Sequence, residues 1–188
     1  MGKIILGSSS PRRADILRKL KLDFEIIPSS YVEPHDQTDF SYAYVEDLAY
    51  NKALDVAKHI HQPAQVIGAD TIVVINNKIL GKPNDREDAF NMLKMLSGKT
   101  HFVVTSIAVI ETPSLEYKIQ STTTNVTFEE LSDEQINYYI DNFKPFDKAG
   151  SYGIQELPEG YIKNFDGCLD NVIGLPSKTL LKMLDKKL

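Results

Sequence analysis

The chain of 188 residues contains a single cysteine, Cys168. One thiol can build neither a disulfide framework nor a zinc knuckle within one chain, so we expect neither to stabilise the fold. The apolar run at the N-terminus is too short for a signal peptide, and no stretch approaches the roughly 18 apolar residues of a membrane span. The sequence therefore predicts a cytoplasmic protein with no membrane partner.

An excess of basic residues is also missing. The formal net charge of −5 argues against a nucleic acid polymer as partner, because surfaces that bind such polymers normally carry a basic excess. Any anionic ligand must then meet a local cluster of cations that the fold brings together. The candidates are Arg12, Arg13, Lys52, Lys82 and Lys148.

Strand-like and helix-like stretches alternate along most of the chain. Strands are predicted at 3–6, 24–28, 66–67 with 72–75, 78–80, 101–111, 117–128 and 161–165. Helices are predicted to begin at Pro11, to span 44–61, to run from a capping box at Asn84 to 97–98, to cover 132–142 behind a capping box at Ser132, and to follow Pro176. With 101–128 as a hairpin, this order predicts an α/β fold: a mixed twisted sheet with flanking helices, one domain over residues 1–188, and two lobes around a cleft.

Asp70 is the most unusual acidic residue because it lies inside an apolar, strand-like run, two residues after Gly68. Burying an ionised carboxylate without a partner costs several kcal/mol, so a cation or a metal should lie opposite it. The alternative is that Asp70 caps a turn where the strand kinks. Lys82 follows the short return strand and is expected near this acid, although a lysine there could equally be a solvated surface cation.

The loop between the first strand and the first helix predicts an anion site. Ser10 is a natural N-cap and Pro11 suits the first helical position, so free backbone N–H groups and the positive end of the helix dipole should face outward. Arg12 and Arg13 in the first turn oppose that dipole, which makes sense if a phosphate binds between them. The alternative is a capped helix with two exposed arginines.

Two further polar residues occupy unusual positions. Lys52 lies on the apolar stripe of the helix predicted at 44–61, four residues after Leu48 and four before Val56, so its side chain should point toward the protein body. It either extends past the edge of the core or reaches a site that contains Asp70. Gln155 lies in a glycine-rich segment that lets the backbone approach a ligand, and its amide suits the edge of a base; a pair of tight turns is the competing interpretation.

Seven short segments occur in an order and spacing that resemble the Maf family of nucleoside triphosphate pyrophosphatases. They are SSSPRR at 8–13, LAYNKA at 48–53, GADT at 68–71, GKP at 81–83, SGKTH at 97–101, DKAGSYGIQ at 147–155 and NVIGLP at 171–176. The resemblance covers nearly the whole chain and implies an elongated, two-lobed fold similar to that of the inosine triphosphate pyrophosphatases. It also implies the reaction, in which a nucleoside triphosphate and water give the monophosphate and pyrophosphate in the presence of a divalent metal.

The resemblance implies catalytic roles position by position. Asp70 matches the family's catalytic proton acceptor, and Lys52 and Lys82 match further polar positions of the site. Glu33 lies where the family usually has a pair of acids, which implies that Mg²⁺ or Mn²⁺ is held by Glu33 and Asp70. Here that pair is Val32-Glu33, so the number of metal ions stays open, as does whether Asp70 activates water, binds the metal or does both.

The resemblance also indicates which residues meet the substrate. Those predicted to bind or select it are Ser8, Ser10, Arg12, Arg13, Thr71 and Gln155. The form KAGSYGIQ resembles the branch that acts on dTTP and UTP and not the branch that prefers 7-methyl-GTP. Glu156-Leu157 and the stretch DGCLDN at 166–171 depart from the family pattern and are expected to alter the rim of the site.

Two functions of different classes follow from the resemblance. The first is a metal-dependent pyrophosphatase that clears noncanonical nucleotides from the cell. The second is a non-catalytic, nucleotide-responsive regulator, because the family is also associated with inhibition of septum formation. The presence of Asp70, Lys52 and Lys82 favours the enzyme, since a sensor does not need the acid. The expected partner is a nucleoside triphosphate, and a homodimer is left open.

Overall fold

A mixed seven-stranded sheet forms the centre of the structure, a computed structural model that describes residues 2–34 and 37–186. The strands are β1 (Lys3–Leu6), β2 (Phe24–Ile26), β3 (Ala64–Ile75), β4 (Lys78–Leu80), β5 (Thr100–Thr112), β6 (Tyr117–Phe128) and β7 (Ile162–Asp166). The helices are α1 (Pro11–Lys19), α2 (Tyr42–Ala57), α3 (Arg86–Leu96), α4 (Asp133–Phe143), α5 (Leu169–Ile173) and α6 (Ser177–Met183). Across this described part of the chain, no helix has the length and apolar character needed to span a bilayer.

The strand order is β2-β1-β3-β5-β6-β7, with β4 also paired to β3. β1 runs parallel to β2 and β3, whereas all other pairs are antiparallel. The predicted hairpin is confirmed as β5 and β6, which pair along nearly their whole length. The predicted α/β class, a mixed sheet with flanking helices, is therefore confirmed.

β3 has different neighbours on its two sides. On one side β5 pairs with it without interruption, from Ala64–Thr112 to Val74–Phe102. On the other side the pairing with β1 ends at Ile67 and the pairing with β4 begins at Val73. On that side no strand among the described residues pairs with residues 68–72, called here the unpaired stretch of β3. The alternative that the chain kinks at Asp70 is wrong, because the β5 ladder holds β3 extended through this position.

The apolar core is divided between the two ends of β3. Near β1, residues of α1 and α6 pack on one face of the sheet, and the small side chains Ala49, Ala53 and Ala57 of α2 pack on the other. Near β4, residues of α3 and α4 pack together against Val73 and Ile75. The unpaired stretch 68–72 lies between these two groups of helices.

Several predicted element ends were wrong by a few residues. α2 ends at Ala57 and not at 61, because His59 and Ile60 donate to carbonyls three residues back and thereby tighten the chain into a turn. The N-cap of α3 is Asp85 and not Asn84: the Asp85 carboxylate accepts from the Asp88 amide at 2.8 Å. The capping box at Ser132 is confirmed. Residues 35–36 of the polar stretch 29–41 lie outside the described residues.

Candidate active site

A cleft of about 1280 Å³ opens at the unpaired stretch of β3. Its walls come from the loop before α1, the loop after β2, α2, β3, and the segments that follow β4 and α4. Every residue predicted for the site lines this one cleft: Ser8, Ser10, Arg12, Arg13, Glu33, Lys52, Asp70, Thr71, Lys82 and Gln155. Lys148 lines it as well. The roles of these residues stay predictions.

Asp70 and Lys52 form an ion pair beneath the cleft. Lys52 Nζ lies 2.5 Å from Asp70 Oδ1 and 2.7 Å from Glu33 Oε1, so one ammonium joins two carboxylates. The side chain of Asp70 is only 9% exposed and that of Lys52 13%, whereas that of Glu33 is 40% exposed. The expectation that a cation lies opposite the buried acid is confirmed, and the alternative that Lys52 merely extends past the core edge is wrong.

Gly68 lets α2 pack close enough to β3 for this ion pair to form. A Cβ atom there would lie 2.3 Å from the Ala49 carbonyl oxygen and 2.5 Å from the Ala53 nitrogen, both of which are backbone atoms of α2. Only a residue without a side chain lets α2 lie this close to β3. The close packing brings Lys52, three residues after Ala49 and next to Ala53 on the same helix, to the carboxylate of Asp70.

Burial and charge act in opposite directions on Asp70. Burial raises the pKa of its carboxyl group above the ordinary value of 3.8, and the nearby Glu33 carboxylate adds to this increase, while Lys52 and Arg13 lower it. The net direction is upward. A carboxylate with a raised pKa is a stronger base than an exposed aspartate, which suits a group that accepts a proton from water.

The two arginines of α1 contact different partners. Arg13 donates from Nε to the Gly174 carbonyl oxygen at 2.9 Å and from Nη1 to Ser8 Oγ at 3.0 Å. Arg12 donates to Asp147 Oδ2 at 3.2 Å. The alternative of two exposed arginines is wrong, since the Arg12 side chain is 30% exposed and Arg13 is partly buried. Burial lowers the pKa of Arg13, which leaves an arginine charged at neutral pH.

The loop at the start of α1 only partly follows its prediction. Ser10 adopts the extended N-cap conformation and Pro11 is at the first helical position, but the Ser10 side chain makes no capping hydrogen bond. Its backbone N–H instead points back to Ser8 Oγ at 3.3 Å. Ser8 therefore contacts both this amide and the Arg13 guanidinium, and it orders the turn at the edge of the cleft.

A hydrogen-bond network behind Thr71 was missed by the sequence analysis. Thr71 Oγ1 lies 3.3 Å from Arg13 Nη2 and 2.9 Å from Thr105 Oγ1, which in turn donates to the Asn171 carbonyl oxygen at 2.8 Å. The fully buried Asn171 side chain accepts from the Thr105 amide at 3.1 Å and donates to the Val103 carbonyl oxygen at 3.0 Å. The motif NVIGLP was the only signal of this network in the sequence.

The glycine-rich segment at 147–156 forms another wall of the cleft. Lys148, whose side chain is 8% exposed, binds Asp147 at 2.8 Å and Glu156 at 3.0 Å, so the unusual residue Glu156 contacts a cation of the cleft. The Gly153 amide donates to the hydroxyl group of Tyr139 at 3.0 Å. These bonds fix the backbone on both sides of Tyr152, whose hydroxyl group lies 2.7 Å from Nε2 of the buried His101.

Gln155 and Lys82 differ from the other residues of the cleft. Both are exposed, and within residues 2–34 and 37–186 their side chains form no hydrogen bond or ion pair. The structure therefore brings them to the cleft without fixing their side chains. Lys82 is not held against Asp70 in the way that Lys52 is.

Glu33 and Asp70 are the residues that could hold a divalent metal. Their carboxylates converge on the same ammonium, so a cation already lies where both oxygens point. In the described part of the chain, no group of three or more His, Cys, Asp or Glu side chains could hold a metal ion by itself. Two carboxylates fit Mg²⁺, which commonly takes one or two of them and completes its shell with water and substrate phosphates. Val32, the residue in place of a second acid, is 83% exposed and does not line the cleft.

The fold and the cleft define an α/β protein whose site combines a buried acid with cations suited to an anionic ligand. The sequence model of the family described as Maf-like protein matches residues 3–187. This chain belongs to that family.

Curated relatives agree over nearly the whole chain. A protein of Ruminiclostridium cellulolyticum named dTTP/UTP pyrophosphatase is 48% identical over 99% of this chain and 96% of its own. One of Clostridium novyi with the same name is 47% identical over 96% and 95%. Among solved structures, a HAM1 protein from Coxiella burnetii superposes with a TM-score of 0.53 at 17% identity, covering 98% of this chain and 99% of that one. The Staphylococcus aureus Ham1 protein gives 0.50 at 15% identity over 97% and 98%. These structures share the fold.

Proposed function

We propose that this protein hydrolyses nucleoside triphosphates, chiefly dTTP and UTP, to the monophosphate and pyrophosphate. The observation that carries this proposal is the buried Asp70–Lys52 pair at the unpaired stretch of β3, inside a cleft that also contains Arg12, Lys82 and Lys148. An acid placed to accept a proton and cations placed to meet phosphates are what hydrolysis at a phosphate requires. The dTTP/UTP pyrophosphatases at 45–48% identity support the same reaction.

In this mechanism Asp70 is the general base. A water molecule attacks the α-phosphorus, the bond from that phosphorus to the oxygen bridging to the β-phosphorus breaks, and pyrophosphate leaves with that oxygen. The proton of the attacking water passes to the Asp70 carboxylate. Because Lys52 occupies Oδ1, the oxygen that accepts the proton is Oδ2. Burial strengthens this base, while the ammonium of Lys52 holds the carboxylate in place.

The cations of the cleft neutralise the triphosphate. Arg13 is oriented by Ser8, Thr71 and the Gly174 carbonyl, so its guanidinium position is set before any ligand binds. Lys82 has no such constraint from the residues that the structure describes, so its ammonium is free to meet the leaving pyrophosphate. A fixed arginine and an exposed lysine would together stabilise charge on both sides of the bond that breaks.

A divalent metal, Mg²⁺ or Mn²⁺, would be held by Glu33 and Asp70. When bound it would neutralise charge on the phosphate oxygens. The ammonium of Lys52 lies between the same two carboxylates, so a bound metal would have to share their negative charge with Lys52. We therefore expect the free protein to bind the metal weakly and to gain affinity when the triphosphate supplies further oxygens.

Gln155 is the residue we propose for recognition of the base. A uracil or thymine edge presents two carbonyl acceptors around one N–H donor, and a glutamine amide offers one donor and one acceptor together. Thr71, which was also predicted to influence substrate choice, has its hydroxyl group engaged by Arg13 and Thr105. We infer that Thr71 acts by orienting Arg13, and that direct contact with the base falls to Gln155.

Ion chromatography after incubation with a panel of nucleotides and Mg²⁺ or Mn²⁺ tests the proposal. Monophosphate and pyrophosphate as the products support it. Diphosphate with free phosphate would make the protein a different hydrolase. Unchanged triphosphate despite tight binding would favour the non-catalytic regulator of septum formation instead.

We also propose where the reaction takes place. Clearance of noncanonical nucleotides suits a cytoplasmic protein, because the nucleotide pool is there. We propose likewise that no nucleic acid polymer is a partner, for which the net charge of −5 is the supporting observation. A homodimer stays open. Sedimentation of the purified protein and a binding assay with single-stranded DNA test these two points.

A further inference from the structure

The loop that carries Glu33 is held by three side chains of one helix. Residues 29–34, called here the Glu33 loop, contain no helix or strand. Asp55 Oδ2 of α2 accepts hydrogen bonds from Ser29 Oγ at 2.9 Å and from the Ser30 amide at 2.7 Å. At the other end of the loop, the Tyr44 hydroxyl group of α2 donates to the Pro34 carbonyl oxygen at 2.9 Å. Lys52 binds Glu33 between these two anchors.

Asp55 makes the larger share of these contacts. Besides the two bonds above, its Oδ2 accepts from the Ser30 hydroxyl group at 3.1 Å, and Ser29 Oγ accepts from the Tyr31 amide at 3.0 Å. One carboxylate therefore closes the first turn of the loop. Hydrogen bonds to a charged acceptor are roughly twice as strong as neutral ones, so this carboxylate anchors the turn more strongly than a neutral acceptor would.

The spacing along α2 explains why a single helix can do this. Lys52 and Asp55 are three residues apart and lie on one side of the helix, so they face the same strip of the neighbouring chain. Asp55 does not line the cleft, whereas Glu33 and Lys52 do. An effect of Asp55 on the reaction would therefore be indirect, and its hydrogen bonds lead to the Glu33 loop.

We propose that Asp55 is a positioning residue that holds the Glu33 loop so that the Glu33 carboxylate stays on Lys52, facing Asp70. The kinetic part of this inference rests on the proposed function. The structural part stands without it. The pKa of Asp55 is lowered, first by the Ser30 amide and then by the Ser29 hydroxyl group, which is consistent with a carboxylate that stays ionised on these donors.

The structural part is tested by hydrogen exchange of the Ser30 amide and its neighbours in the loop. The variant Asp55→Asn keeps the shape of the side chain but loses its charge. We expect exchange within 29–33 to become at least about tenfold faster, since the loss of a hydrogen bond to a charged group changes an equilibrium by about that factor. Asp47→Asn is the control: Asp47 is exposed on the same helix, and its side chain makes no hydrogen bond or ion pair with the described residues. Unchanged exchange in the Asp55 variant would overturn the proposal.

The kinetic part is tested by a double-mutant cycle with Glu33→Gln. Asp55→Asn alone should lower kcat/KM for UTP by roughly tenfold, and by less than about twofold when Glu33 is already glutamine, because the effect acts through that carboxylate. A merely structural role would cost the same in both backgrounds, and that result would overturn the positioning role. If the unmodified protein hydrolyses no triphosphate, the proposed function fails, and the exchange experiment still decides whether Asp55 holds the loop.

Discussion

Asp70 and Thr71 are neighbours on β3, yet the two faces of the sheet to which they point are built differently. Around Asp70 there are charges: an ammonium between two carboxylates, one of which is 40% exposed. Around Thr71 there are mainly neutral groups, and the network runs through Thr105 to the buried side chain of Asn171. The Asp70 face contains groups that can exchange a proton or a ligand. The Thr71 face contains groups that are already satisfied.

This difference indicates that the two faces of β3 have different roles. Buried polar networks in which every member is bonded make a structure rigid, because any change leaves a donor or an acceptor unpaired. Buried charges respond instead to pH and to ligands. We therefore expect substitutions on the Thr71 face to affect stability first, and substitutions on the Asp70 face to affect turnover first.

The largest effect is expected from Asn171→Ala. The substitution removes the bonds to Val103, Thr105 and Thr124 in a site with no access to water, and it should lower the free energy of unfolding by about 3 to 5 kcal/mol. Urea denaturation measures this loss. Asn164→Ala, at an exposed position of β7, is the control and should change it by less than about 0.5 kcal/mol. Equal urea midpoints for both variants would show that the hydrogen-bond network of Asn171 does not stabilise the fold.

Asp70→Asn should lower turnover and leave stability nearly unchanged, which is the opposite of the result expected for Asn171→Ala. The side chain keeps its shape but can no longer accept a proton, so kcat should fall by roughly 10² or more while the melting temperature changes little. Steady-state kinetics and thermal melting of the same preparation separate the two quantities. Asp23→Asn, exposed just before β2 and outside the cleft, should leave kcat unchanged. Turnover close to that of the unmodified protein would exclude Asp70 as the base.

The pH dependence of kcat/KM should have an acidic limb set by Asp70. Only the ionised carboxylate accepts a proton, so activity decreases as the pH is lowered through its pKa, which burial places above 3.8. Lys52 lowers this pKa, so Lys52→Met should move the limb to higher pH in addition to reducing activity. A limb at the same pH in both proteins would show that it reports another group.

The smallest effect is expected from Gln155→Ala. The unmodified protein should hydrolyse UTP at least about tenfold more efficiently than GTP, because an unsatisfied polar group against the wrong base costs about 1 to 3 kcal/mol. The variant should narrow this ratio with little change in stability, since Gln155 is exposed. Gln120→Ala, exposed on β6 and outside the cleft, should leave the ratio as it is. Equal kcat/KM for UTP and GTP in the unmodified protein would exclude a pyrimidine preference.

The Asp70 face could be predicted from the sequence because its two main residues follow local rules. Helical spacing alone indicates that Lys52 points inward, and the apolar run around Asp70 indicates that the acid is buried. A buried acid needs a cation, so the pair could be inferred before the fold was known. Glu33 came from the resemblance and not from a local pattern, because it lies on a loop without periodicity.

The Thr71 face could not be predicted in the same way. Asn171 is 66 residues from Thr105 and 68 from Val103, and no local pattern specifies contacts over such distances. The two arginines show a related limit: consecutive residues on a helix point in different directions, so Arg12 and Arg13 reach different partners although they are adjacent in sequence. Asn84 and Asp85 are both good N-caps, and only the position of Asp88 decides between them.

The uninterrupted pairing of β3 with β5 restricts how the cleft can change its width. Both strands pass beneath the site and carry the helices at either end, so the two halves of the core share one continuous ladder and not a hinge. A ladder of this kind resists bending at a single residue but tolerates a small change of twist distributed along its length. We therefore expect most of any change in the width of the cleft to come from the loops at its rim, with little local change at Asp70 on the floor.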